Sequence, residues 1–366
     1  MKTALLWFAV MSSLLGASPR AQAGIQKSDP EAAMAEQISL IAEALTSSEL
    51  REELGKESLN SLELDLERAA TLMEAGHWLA GLRPLVQVQL SMDQSAFVRS
   101  GASIQGLDDL VSASAQLLRG IRELPSPLEA RLSRPAELQA LLEENHARAE
   151  VYAIAAPEQG REASLRAGIF YLAQGRAHAA MAQWLLGLAA SQPAHPMTVI
   201  PGLEAYFGRL ERELLEVYQP PLSKTLHSSF IQISANLKFG NELRARGFQF
   251  AALHAALEVA RGMNQLPTGT GERPRSTPEE VAASLLRVQA QLELLVSDTS
   301  MADHYAQLAQ HLLDPGRSNP SLAQALVGRV LLDYLSCMES KDALAMPAAA
   351  STETEVTITL VRWPFT

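Results

Sequence analysis

Two pairs in this chain repeat a Glu-x-x-His spacing, Glu74/His77 and Glu143/His146. On a helix, residues three apart share a face, so each pair sets a carboxylate beside an imidazole. Di-iron carboxylate bundles use two such pairs with two further Glu. Against that reading, Gly76 interrupts the first pair at a turn, and "LLEENHARAE" around the second reads as a solvated helix face. His304 and His311, seven apart with Asp303 adjacent, also share a face, but one pair does not close a metal site. We expect no metal ion and no cofactor.

Nucleophilic chemistry finds as little support. The single cysteine, Cys337 in "VLLDYLSCME", has no cationic or His neighbour to lower its pKa and reads as a buried, inert thiol. "RSGASIQG" at 99–106 misses the Gly-x-Ser-x-Gly elbow. Gly269-Thr270-Gly271 lacks the Lys-Ser/Thr ending and the preceding strand of a phosphate loop. His178 and His254 lie in Ala-rich helices and read as packed or solvent-facing. No catalytic residue is assigned, and the chain reads as a binder rather than an enzyme.

The elements that must carry any site are helical. Of the 366 residues, 47% are hydrophobic, mainly Leu and Ala, and only 5% are aromatic. That composition favours helix over strand. Helix starts are marked by Pro30 after Ser28 and Asp29, by Pro135 after Ser133, by Thr277 with Pro278 and Glu280, and by Pro320. Apolar series such as Leu203, Phe207, Leu210, Leu214 and Leu215 keep helical period. Expected helices cover roughly 30–46, 48–54, 58–75, 77–91, 106–122, 126–132, 135–155, 161–174, 177–190, 202–218, 221–246, 248–263, 278–297, 301–313 and 320–338. At the far end "VTITLVRWPFT" alternates like a strand. It is expected to pair with "MTVI" at 197–200 or with a partner's sheet edge.

Lys2, the apolar "ALLWFAVMSSLLGA" and the small-x-small triplet "AQA" predict a secretory signal at 1–23, with Ala21 and Ala23 setting cleavage before Gly24. The expected organisation is then a helical-hairpin region at 24–195, a second at 196–340, a linker at 341–353 and a strand or tail at 354–366. Removing the signal takes Lys2 and Arg20 and no acid, which moves the formal charge from −11 to −13. An acidic chain without a basic run argues against nucleic-acid binding. No later stretch has 18 uninterrupted apolar residues, so no membrane span is expected in the mature chain. A periplasmic or secreted location follows.

In "AGIFYLAQGRAHAAMAQWLLGLAASQP" at 167–193, small and large residues alternate as Gly168, Tyr171, Ala180 and Trp184, around a turn expected at Gly175. Gly240, Leu243, Gly247, Ala252 and Ala256 repeat the spacing, and Ala69, Leu72, Gly76, Gly81 and Leu85 do so more weakly. The expected turn glycines at 76, 175 and 247 are spaced near multiples of about 34 residues. This pattern resembles the tetratricopeptide repeat. The resemblance implies an all-α array of stacked antiparallel helical hairpins, an α-solenoid, closed by a short C-terminal strand. It also implies a scaffold that binds a protein or peptide partner in the bacterial envelope. The rival expectations are a helical-bundle enzyme or small-molecule binder with a metal at Glu74/His77 and Glu143/His146, and a structural subunit that docks by its final strand.

Overall fold

The computed structural model describes residues 30–265, apart from 77, 101–102, 128–131, 134–135, 191–194, 197–199, 201 and 218–226. The signal region, Cys337, His304, His311, the 264–278 loop beyond residue 265 and the strand-like tail at 354–366 lie outside the described residues. The described chain is all-helical. In order it forms α1 (Pro30–Leu45), α2 (Ser48–Glu74), α3 (Trp78–Ser100), α4 (Leu107–Glu123), α5 (Ala136–Glu162), α6 (Leu165–Ala190), α7 (Leu203–Val217), α8 (His227–Ala245) and α9 (Gln249–Gln265). A two-residue antiparallel pairing of β1 (Leu132–Ser133) with β2 (His195–Pro196) joins the approach to α5 with the exit from α6.

Two neighbouring pairs turn in the same way. Between α2 and α3, the Ala75 N–H donates to Thr71 O at 3.1 Å and the Gly76 N–H to Met73 O at 2.9 Å. Between α8 and α9, the Arg246 N–H donates to Glu242 O at 3.1 Å and the Gly247 N–H to Arg244 O at 3.0 Å. Gly76 and Gly247 both take positive φ, 81° and 83°, which a Cβ would strain. Five residues beyond each turn a small side chain sits on the inner face. Gly81 lies against Ala69, where an added Cβ would be 3.0 Å from a backbone oxygen. Ala252 is fully buried.

The third pair departs from expectation. Gly175 makes no turn; α6 runs unbroken through it from Leu165 to Ala190. Nor do helices 48–54 and 58–75 stand apart, because α2 is continuous over Ser48–Glu74. Helix α5 likewise passes through Pro157 and ends at Glu162, seven residues past the expected stop at 155. The real turn between α5 and α6 is at Ala163 and Ser164, and the Ser164 hydroxyl caps α6 by accepting the Ala167 N–H at 3.1 Å. Gly175 answers a packing demand instead. A Cβ there would lie 3.3 Å from Ala149 O and Ala153 N and 3.0 Å from Leu117. At Gly168 the crowding is worse, at 2.8 Å from Ala156 O and 2.9 Å from Gly160 Cα. These contacts run antiparallel and bring the backbones of α5 and α6 together, with α4 seated over the seam through Leu110, Leu117 and Ile121.

Of the expected helix 126–132, residues 126 and 127 are non-helical and Leu132 belongs to β1, while 128–131 lie outside the described residues. One apolar cluster joins α1, α2 and α3 to the start of α5 and the end of α6, with Met34, Ile41, Leu82, Leu85, Leu138, Leu142, Met181 and Leu185 at or near zero exposure. Contacts from α9 to α5 cross the boundary expected at 195/196. No helix among the described residues is long and apolar enough to cross a membrane.

Candidate functional site

The stretch "LLEENHARAE" is not a solvated face. It forms the middle of α5, and its polar residues turn inward. Glu137, Glu143 and Asn145 are 0–2% exposed. Residues 137, 144 and 148 stand seven and four apart, so they share one stripe. Arg83 of α3 reaches that stripe, donating through Nε to Glu137 Oε1 at 2.5 Å and pairing through Nη1 with Glu144 Oε2 at 3.4 Å. Arg148 Nε donates to the other Glu144 oxygen at 2.9 Å, and its guanidinium lies 4.6 Å from the centre of the Phe239 ring on α8. His254 of α9 places Nδ1 3.8 Å from Glu144 Oε2. Burial pushes the Glu144 carboxyl up, but Arg148, Arg83 and His254 together outweigh it and hold the group well below the usual carboxylate range. Burial dominates at Glu137 and raises its carboxyl against the pull of Arg83.

The rest of the stripe is committed too. Glu143 accepts Gln139 Nε2 at 2.8 Å and the Ala251 N–H at 2.9 Å, which ties α5 to the start of α9. Glu150 pairs with Arg246 in the turn before α9. Asn145 donates Nδ2 to Leu141 O at 2.8 Å, so its oxygen is left to accept, and His178 Nδ1–H donates to it at 2.8 Å. Burial depresses His178 to about 3, with Arg148 acting in the same direction, so its ring is neutral. The ring also stacks on Tyr152 at 5.5 Å.

The two Glu-x-x-His pairs therefore do different things. Glu74 is exposed at the end of α2, and His77 lies outside the described residues. Glu143 faces α9, whereas His146 bonds the Ile121 backbone and meets Phe248 edge-on at 6.1 Å. Among the described residues, no three His, Cys, Asp or Glu side chains gather in metal-binding geometry. His178 and His254, read from sequence as packed or solvent-facing, are both buried and engaged. Of the repeat-spaced residues, Gly168, Gly175, Gly240, Leu243, Ala252 and Ala256 are buried; Tyr171, Ala180 and Trp184 are half-buried.

A second polar arrangement faces outward. Helices α2, α3 and α6 border an open groove of about 550 Å³ lined by Ser58, Ser61 and Leu62 of α2, Ser91, Gln94, Ser95 and Val98 of α3, and Phe170 of α6. Ser91 donates to the Gln87 carbonyl of its own helix. The side chains of Ser58, Ser61, Gln94 and Ser95 make no hydrogen bond to another described residue. Val98 and Phe170 are exposed apolar side chains at the rim, and none of the lining residues is charged. Sequence inspection did not find this groove, since its parts lie on three helices; the serine spacings 58/61 and 91/95 were the available trace.

Comparison with known proteins found no matching family model, no matching curated protein and no matching solved structure.

Proposed function

We propose that this chain is a non-enzymatic, helical-hairpin scaffold of the bacterial envelope that receives an uncharged segment of a partner protein in the groove between α2, α3 and α6. The observation that carries the reading is the groove's lining. Hydrogen-bonding side chains without internal partners stand beside exposed Val98 and Phe170, with no ionised group among them. Covering such a surface forfeits no ion hydration, and its donors and acceptors can be met by a peptide backbone.

The lining residues on α3 run from Ser91 to Val98, about 10 Å along the helix axis at 1.5 Å per residue. That length matches about three residues of extended chain. The shared turn geometry of α2–α3 and α8–α9 supports a tetratricopeptide-like organisation for those two hairpins, while the uninterrupted α6 does not fit that register. Export rests on the expected signal at 1–23.

The test is a photo-crosslinking side chain placed at Ser95, with an equivalent placement at exposed Glu211 on α7 as control. The proposal expects a discrete adduct from position 95 that is lost when Val98→Glu is added. No adduct at 95, or the same adduct from 211, overturns it.

A further inference from the structure

On the inner face of α3, opposite the groove, lies a carboxyl with no counter-charge among the described residues. Asp93 is 2% exposed. Its Oδ1 accepts Gln89 Nε2 at 2.6 Å, and Gln89 Oε1 in turn accepts Gln37 Nε2 of α1 at 2.7 Å. This chain of two amides and one carboxyl is a polar tie between α1 and α3, two helices that also share the apolar cluster of Met34, Ile41, Leu82, Leu85 and Val86.

The charged groups of the surrounding elements are directed elsewhere. The α1 acids Glu31, Glu36 and Glu43 are exposed. On α2, Asp65 and Arg68 act on each other. Arg83 of α3 engages Glu137 and Glu144 of α5. On α6, His178 bonds Asn145 and Arg166 is exposed, while Arg176 makes no ion pair with Asp93. Among the described residues no Lys, Arg or His forms an ion pair with Asp93.

We propose that Asp93 is a proton-controlled latch, which holds α1 on α3 while protonated and loosens that contact when it ionises. A buried carboxylate held by one amide is a poorly compensated charge, whereas the neutral acid keeps the Gln89 bond on Oδ1 without the cost of burying an ion. Gln37 of α1 closes the outer end of the amide chain, so moving α1 away opens it where water can reach the amides. Burial raises Asp93 from an ordinary 3.8 to about 7, against a smaller lowering by Gln89.

The sign follows from proton linkage. The closed state holds its proton up to about 7 and the open state loses it near 3.8, so opening is promoted as pH rises between those values. Over that window opening increases roughly tenfold per pH unit, and above about 7 it levels off.

Native-state hydrogen exchange of the full chain between pH 5 and 8 tests this, with each amide corrected for its intrinsic rate. The latch predicts that protection of residues 30–45 falls about 50-fold from pH 5 to 7 and then levels, while amides in the middle of α5 do not follow. In Asp93→Asn the α1 profile should be flat. The 13Cγ resonance of Asp93 in the unmodified chain, which needs no variant, should titrate near 7. Flat α1 protection in the unmodified chain, an unchanged slope in Asp93→Asn, or a carboxyl that titrates near 4 overturns the proposal.

Discussion

The stripe on α5 and the groove beside α3 both concentrate polar side chains, and they use them in opposite ways. On α5 the groups are turned inward and answered: Glu144 by Arg83, Arg148 and His254, Glu143 by Gln139 and a backbone N–H. Along the groove they are uncharged and turned outward, and four of them have no partner within the described residues. A buried ion must be met from inside, because leaving it bare costs several kcal/mol. An uncharged hydroxyl gives up far less on being covered and recovers it from any donor or acceptor. The first arrangement joins α3, α5 and α9 to one another; the second is suited to meeting something else.

The strongest way to break the comparison is to remove the common counter-ion. Glu144→Gln leaves Arg83, Arg148 and His254 without it and should cost about 3–5 kcal/mol in urea unfolding. A loss below about 1 kcal/mol would mean that the stripe is solvated after all.

The pH response is next. His178, depressed to about 3, favours folding increasingly as pH rises from about 3 to 6.5, because the unfolded ring binds the proton more tightly. Glu144, also depressed, adds in the same direction below its ordinary value. Asp93, raised to about 7, acts oppositely between 3.8 and 7. Between pH 4 and 6.5 the stability of Asp93→Asn should therefore rise by roughly 3 kcal/mol more than that of the unmodified chain. Equal slopes in the two proteins would contradict this assignment.

Packing changes follow. At Gly168 the Leu110 side chain is joined by two backbone atoms, Ala156 O and Gly160 Cα, that cannot give way, so Gly168→Ala should cost about 1–3 kcal/mol by forcing α5 from α6. Gly247→Ala should cost about 1–2 kcal/mol for its positive φ. Gly175→Ala is the informative contrast. Its tightest neighbour, at 3.0 Å, is the flexible end of Leu117, and alanine is the better helix former by about 1 kcal/mol, so the net change should lie within about 0.5 kcal/mol. Thermal unfolding of the three variants ranks them.

These glycines also show how far the sequence could be read. Helices α1, α4, α7 and α9 lie within about two residues of their expected bounds, because Pro30, the Asp108–Asp109 start and the Leu203–Leu214 series are local signals. Gly76 and Gly247 were legible as turns because nothing else near them could take positive φ. Gly175 has the same letters around it but a different task, set by Ala149 and Ala153 on another helix, and no local pattern carries that information. The α5 stripe was legible in principle from the 137, 144, 148 spacing; it was read as exposed because its counter-ions come from α3 and α9. The latch at Asp93 and the groove depend on which helices are neighbours, and the chain shows that only once folded.

The most direct test of the account is binding at the groove in a chain whose fold is intact. The partner segment recovered by crosslinking from position 95 would be synthesised and titrated into the unmodified chain and into Phe170→Glu, with unfolding measured for both. The account predicts that Phe170→Glu changes stability by no more than about 0.5 kcal/mol, as an exposed substitution should, and weakens binding tenfold or more. Unaltered affinity in a folded Phe170→Glu chain would contradict it.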